Sequence, residues 1–145
     1  MPALDERWVG ARGRATLFRD AAARTRPCAG IGAAWLSATS PSMFADADLA
    51  AFERLSAAVR RTVYGGDCYN YGLLASGHLD LVAEAGLKPY DFCALVPVIE
   101  GAGGTVSDWG GRPLTIDSEG RALAAGDKHA HAEALARLAG GATIR

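Results

Sequence analysis

Leu87-Lys88-Pro89-Tyr90-Asp91-Phe92-Cys93-Ala94-Leu95-Val96-Pro97-Val98-Ile99-Glu100-Gly101-Ala102-Gly103-Gly104 reads as one buried helix, with the other elements arranged around it. Pro89 opens it, because a proline in the first helical turn gives up no hydrogen bond. Ala94, Leu95, Val96, Val98, Ile99 and Ala102 leave almost no polar face, the pattern of a helix surrounded by core. Pro97 cannot bond to the carbonyl four residues back, so a kink is expected there. Gly103 and Gly104 stop the helix, and a strand follows over 105–109. The single acid of the first turn, Asp91, has two readings. It can satisfy free N–H groups at the positive end of the helix. It can also be a fixed, partly buried carboxylate suited to Mg²⁺, which takes one or two carboxylates together with water and phosphate oxygens.

Downstream, Gly110-Gly111-Arg112-Pro113 is a turn, 122–125 a strand, and Asp127 the cap of a last helix that turns Ala130, Ala134, Leu135 and Leu138 inward. Upstream, 79–83 is a buried-type strand ending at Glu84. Residues 68–76 form a helix stopped by Gly77, Gly65-Gly66-Asp67 is a tight turn, and 62–64 is a short strand. Leu49, Phe52, Leu55 and Val59 recur at helical spacing behind Asp46, a candidate N-cap. Residues 31–39 have the length and composition of a strand, closed by Ser40-Pro41. Residues 5–20, broken by Gly10 and Gly13, read as a hairpin or bent strand whose arginines (Arg7, Arg12, Arg14, Arg19) form a solvated face. Strands alternating with helices predict an α/β chain: a layered α/β/α domain with a mixed sheet. In open sheets of this kind ligands bind beyond the carboxyl ends of the strands. Two loops sit there, Gly65-Gly66-Asp67 and 84–91, and each places acids after a strand and before a helix.

Half of the 145 residues are apolar and the net charge is −1, a globular composition with no preference for a polyanion such as nucleic acid. No apolar run is long enough to span a membrane, and the first residues lack the pattern of a signal peptide. Three cysteines (Cys28, Cys68, Cys93) without CxxC spacing fit reduced, mostly buried thiols in a cytoplasm. His129 and His131 stand two apart on a helix and make a poor metal pair. His78 is expected in solvent, Asp80 at a turn, and Glu100 beside a structural partner such as an arginine.

The ordered run Gly65-Gly66-Asp67-Cys68, Ala75-Ser76-Gly77, Asp80-Leu81-Val82-Ala83-Glu84-Ala85-Gly86-Leu87-Lys88-Pro89-Tyr90-Asp91 and Glu100-Gly101-Ala102-Gly103-Gly104 resembles the C-terminal half of the inositol monophosphatase family of Mg²⁺-dependent phosphatases. Within that family it is most similar to the bacterial histidinol-phosphatase branch. The resemblance implies that Asp91 falls on a metal ligand, with Tyr90 in place of the usual Trp. It further implies that Gly65, Gly66, Asp67, Glu84 and Asp91 face a phosphorylated small-molecule substrate. Asp67 stands where the polyol-phosphate branches carry a small neutral residue. An acid there would pair with the ammonium or imidazole of histidinol, whereas inositol offers no charge.

The resemblance begins near the family's midpoint. The Asp-Pro-x-Asp-Gly-Thr stretch that supplies most metal ligands in the family does not occur in the chain. The implied picture is therefore a fragment. Residues 1–29 would be the end of an N-terminal domain's sheet (the β-hairpin remnant of a missing α+β domain) and the crossover, and 30–145 the C-terminal α/β domain. No catalytic residue of its own is expected. The missing N-terminal half is the expected partner, and a homo-oligomer is expected of the complete protein. The function implied is Mg²⁺-dependent hydrolysis of histidinol phosphate in histidine biosynthesis, with the isolated chain inactive. Alternatives are an inositol-phosphate or nucleotide-bisphosphate phosphatase, or a non-catalytic remnant serving as an interaction module.

Overall fold

The computed structural model describes residues 1–140; the last five residues of the expected second domain lie outside the described residues. A small antiparallel sheet comes first: β1 (Trp8–Val9), β2 (Leu17–Phe18) and β3 (Ala21–Ala22), in that order. Arg19 and Asp20, with φ of 48° and 65°, make the tight link between β2 and β3, in the left-handed geometry that matches the twist of a two-residue hairpin. Pairing sets Trp8 opposite Phe18, and their rings stack at 4.5 Å on the inner face. Val9 and Leu17 pair on the outer face and are exposed.

The remainder is a three-layer α/β/α unit. Its elements are β4 (Trp35–Ala38), α1 (Asp46–Ala58), β5 (Arg61–Tyr64), α2 (Tyr69–Ala75), β6 (Leu81–Glu84), α3 (Pro89–Phe92), α4 (Leu95–Gly101), β7 (Thr105–Ser107), β8 (Ala122–Ala125) and α5 (Lys128–Leu138). The sheet order is β5-β4-β6-β8-β7; β4 is parallel to β5 and β6, while β8 runs antiparallel to both β6 and β7. The sheet is thus mixed, as expected.

Alternation along the strands divides the core in two. Leu36, Ala38, Leu81, Ala83, Leu123 and Ala125 face α1 and α5, with Phe52, Leu55, Ala130 and Ala134 opposite. Val82, Ala124 and Val106 face α2 and α4, together with Tyr71, Leu74 and Ile99. Each fully buried Leu or Ile of these layers contributes about 2 kcal/mol relative to exposure. Trp8 and Phe18 pack against the second layer, docking the small sheet onto it. Trp8 Nε1 donates to Ser76 Oγ at 2.9 Å, and Thr16 Oγ1 donates to the Val98 carbonyl at 2.7 Å.

The expected single helix over 89–104 is two short ones. α3 and α4 are separated at Cys93 and Ala94, four and three residues before Pro97. The proline ring crowds the carbonyl of Cys93 and offers it no N–H, so the helical ladder fails there, upstream of the proline. Nor is the segment surrounded by core: Phe92, Val98 and Ile99 are buried, whereas Tyr90, Asp91 and Ala94 are exposed.

Four other boundaries differ. Residues Ile31–Ala33 form a 3-10 turn, so β4 starts only at Trp35. Asp46 is the first helical residue, not the cap; Ala45 holds that position and makes no side-chain hydrogen bond. β6 begins at Leu81 and includes Glu84. β7 ends at Ser107, where the Asp108 carboxylate accepts from the backbone N–H of Gly110 and Arg112 (both 2.8 Å) and turns the chain. Asp127 caps α5 as expected, accepting from the N–H of His129 and Ala130.

Candidate active site

The parallel strands β4, β5 and β6 end at one edge of the sheet, in Ala38, Tyr64 and Glu84, with Thr39 and Gly65 next in the chain. The Gly65 N–H donates to the carbonyls of Ala38 (3.2 Å) and Thr39 (3.0 Å), which ties the turn after β5 to the end of β4. Gly65, Gly66 and Asp67 hold φ of 96°, 93° and 51°, three consecutive left-handed residues. At Gly66 a side chain is excluded twice over, because a Cβ would also strike the Asn70 amide. That amide is buried and donates to the Gly65 carbonyl at 2.7 Å. The turn therefore presents bare backbone to a ligand.

Asp67 is exposed and makes no side-chain hydrogen bond to a described residue. Asp67 does not cap the helix that follows: Cys68 holds the cap position of α2, without a side-chain hydrogen bond. The Asp67 carboxylate is left uncommitted at the edge.

Glu84 is 2 % exposed. Its Oε1 accepts from the Thr39 N–H (3.0 Å) and from Thr39 Oγ1 (2.5 Å), and its Oε2 accepts from the Tyr71 hydroxyl (2.9 Å). Among the described residues neither Lys88 nor an arginine pairs with it. A carboxylate has about four acceptor positions, so one remains, on Oε2. Burial pushes the Tyr71 hydroxyl well above its ordinary value, and the charges of Glu84, Asp67 and Asp91 add to the effect. Tyr71 therefore stays a donor, and the field of all three acids converges on it.

Asp91 is exposed, not partly buried; its Oδ2 accepts from the Lys88 N–H at 2.7 Å and closes the first turn of α3. Its other oxygen is uncommitted. The sheet edge thus gathers Gly65, Gly66, Asp67, Glu84 and Asp91, together with Thr39 and Tyr71, which sequence reasoning missed. Thr39 closes an apolar run and Tyr71 sits among core residues of a helix, so neither carries a signal beyond its polar tip.

The remaining candidates are structural or peripheral. Asp80, expected at a turn, stands just ahead of β6 and is buried. It accepts from Arg26 Nε (2.7 Å), Arg26 Nη2 (2.6 Å) and the Trp35 N–H (2.7 Å). Burial raises its carboxyl, but the Arg26 guanidinium and the Trp35 N–H outweigh that and hold it below the usual range. Glu100 is exposed and has no arginine partner among the described residues. His131 is buried against Ser107 Oγ at 2.9 Å, while His129 is exposed. His78 is exposed, as expected. The cysteines are unpaired, but none is fully buried, contrary to expectation: Cys68 is exposed, and Cys28 and Cys93 are half-buried.

Among the described residues, no three of His, Cys, Asp and Glu converge closely enough to hold a metal ion. Asp91 can lend one oxygen, but this donor set alone does not fit Mg²⁺, which requires near-octahedral oxygen ligation. Three acids at one edge also repel a phosphate unless cations are brought with it. No helix among the described residues is long and apolar enough to cross a membrane.

The model of the inositol monophosphatase family matches residues 1–141. The bifunctional phosphatase IMPL2, chloroplastic, of Arabidopsis thaliana is 46% identical over 144 residues, covering 94% of this chain and 42% of its own length. A histidinol-phosphatase of Mycobacterium tuberculosis is 33% identical, covering 97% of this chain and 55% of its own. The solved structure of an inositol monophosphatase from Zymomonas mobilis superposes with a TM-score of 0.93 at 47% identity, over 95% of this chain and 55% of that one. The chain spans about half the length of the curated relatives it matches.

Proposed function

Because the chain belongs to the inositol monophosphatase family, we propose that it is the substrate-selecting half of a phosphate monoester hydrolase acting on histidinol phosphate, an enzyme of histidine biosynthesis. The observation that carries this is the placement of Asp67, Glu84 and Asp91 in the segments at and just after the carboxyl ends of β5 and β6, with Asp67 making no side-chain hydrogen bond to a described residue. Gly65 and Gly66 let the backbone approach the substrate. Glu84, fixed by Thr39 and Tyr71, offers its remaining acceptor position to the non-phosphate end. Asp67 pairs with a positive charge there, which histidinol carries and inositol does not. A relative named histidinol-phosphatase is in keeping with this choice; inositol monophosphate, after which the Zymomonas mobilis enzyme is named, is the alternative substrate in the test.

Mg²⁺ is the proposed cofactor of the complete enzyme, with Asp91 as one ligand and the others from an N-terminal half. When bound, the ions would neutralise the phosphate and polarise water. Domain assignment follows the same lines: residues 1–29 complete the sheet of that half, and the α/β unit from residue 30 onward carries the substrate edge. The complete enzyme is proposed to be a homo-oligomer in the cytoplasm, in keeping with the unpaired thiols. A non-catalytic interaction module is a second reading, favoured by the absence of a metal-holding cluster among the described residues.

The test joins the chain to an N-terminal half carrying the family's acids and compares Asp67→Ala with its parent. The variant is expected to lose about tenfold in kcat/KM for histidinol phosphate, the effect of one charge-assisted hydrogen bond. Inositol monophosphate turnover should be unchanged or improved. An unchanged ratio between the two substrates would remove the selectivity argument.

A further inference from the structure

At the amino-terminal ends of β4, β5 and β6, opposite the acidic edge, lies a cavity of about 450 Å³ whose lining includes Arg26, Cys28, Trp35, Arg60, His78 and Asp80. Strands of four residues separate it from the candidate active site by ~13 Å. We propose that this cavity is a second ligand site, one that binds the phosphate group of a small metabolite.

Asp80 is the only carboxylate in the lining, and it is spent: both of its oxygens are taken by Arg26 and the Trp35 N–H. The same fork holds the Arg26 guanidinium rigid, while its Nη1 has no partner among the described residues. A guanidinium carries five donors, so Arg26 is fixed in place with donors to spare. Arg60 is exposed and its guanidinium has no partner among the described residues; the His78 ring has none either. The Cys28 thiol donates to the Gly30 carbonyl at 3.3 Å, and burial pushes it up, so it stays neutral and adds no negative charge. Arg61, next to the cavity, lies over the Trp35 ring at 5.0 Å and contributes further positive potential.

Two guanidinium groups and an imidazole therefore line a cavity whose one lining acid is neutralised; Asp127, whose charge reaches Cys28, lies outside the lining and accepts from the first N–H groups of α5. A carboxylate would occupy a single guanidinium fork, whereas three separate donor groups match the oxygens of a phosphate. The cavity is also much larger than one phosphate, with Trp35 and Pro27 offering apolar surface to an attached organic body. The inference stands apart from the assignment of the acidic edge and survives its failure.

The test is a titration of the isotope-labelled 145-residue chain with inorganic phosphate, followed by two-dimensional NMR at constant ionic strength. Saturable shifts are expected at Cys28, Trp35 and His78, half-complete at about 1–10 mM, an affinity in keeping with a bare fragment. Arg60→Ala should weaken this binding at least fivefold; the side chain is exposed and unpaired, so the variant folds. Shifts confined to Gly65, Gly66 and Asp67, shifts reproduced by chloride alone, or saturation unaltered in Arg60→Ala would each overturn the proposal.

Discussion

Glu84 has three of its acceptor positions filled by Thr39 and Tyr71 before a ligand arrives. A buried carboxylate is costly unless hydrogen-bonded, and these bonds both satisfy and aim it. Tyr71→Phe deletes one donor and leaves a buried oxygen unsatisfied, so unfolding in urea should show a loss of about 1–3 kcal/mol. No loss would mean that water replaces the hydroxyl and that Tyr71 does not position Glu84. Two other buried groups link stability to pH. His131 is depressed by burial, so the unfolded state binds its proton first, and stability should decline as pH falls below about 6.5. Asp80 is held low by Arg26 and the Trp35 N–H, net of burial. Its contribution is present above about pH 4 and is lost as pH falls through the folded value. Urea midpoints flat from pH 8 to 3 would contradict both. At this scale the position of Gly65, Gly66, Asp67, Glu84 and Asp91 at and after the strand ends was legible, because acids and glycines after strands carry a positional signal. Asp80 was not, since its partner Arg26 stands 54 residues away and pairing at that distance leaves no local pattern.

The elements show what periodicity records and what it omits. Strand β8 and the cap of α5 were legible to the residue, because a short apolar run bounded by glycine and an Asp before a helix are local events. The break between α3 and α4 was legible as a kink but misplaced. A proline acts on the carbonyl four residues earlier, so the disruption falls at Cys93 and Ala94 and not at Pro97 itself. Pro97→Ala restores an N–H for the Cys93 carbonyl. Hydrogen exchange should then show a slowed amide at residue 97 and protection continuous from α3 into α4. An unprotected amide there would mean that packing, not the proline, separates the two helices. The apolar composition of 94–102 also suggested burial on every side, but Leu95, Val96 and Pro97 are only half-buried. Hydrophobicity alone does not reveal whether the surface beyond a helix is filled.

Across the whole molecule, two apolar layers enclose a mixed sheet, and the small antiparallel sheet is docked on one of them through Trp8, Phe18 and Thr16. The α/β/α layering was legible from alternating elements. The antiparallel direction of β8 was not, because strand direction depends on long connections that leave little local trace. The sheet's two ends carry opposite character: acids beyond β4, β5 and β6 at one edge, arginines at the other. Among the described residues neither end gathers ligands enough for a metal ion, and the acidic edge repels an unaccompanied phosphate. We propose that this chain selects the substrate and does not by itself hydrolyse it. Phosphate release from histidinol phosphate by the purified chain, with and without Mg²⁺, tests that most directly. The account predicts no Mg²⁺-dependent release above the uncatalysed background, with activity appearing when the family's N-terminal acids are supplied on a second chain. Sustained Mg²⁺-dependent turnover by the chain alone would contradict it, and would mean that Asp67, Glu84 and Asp91 complete a metal site by themselves or with a second copy.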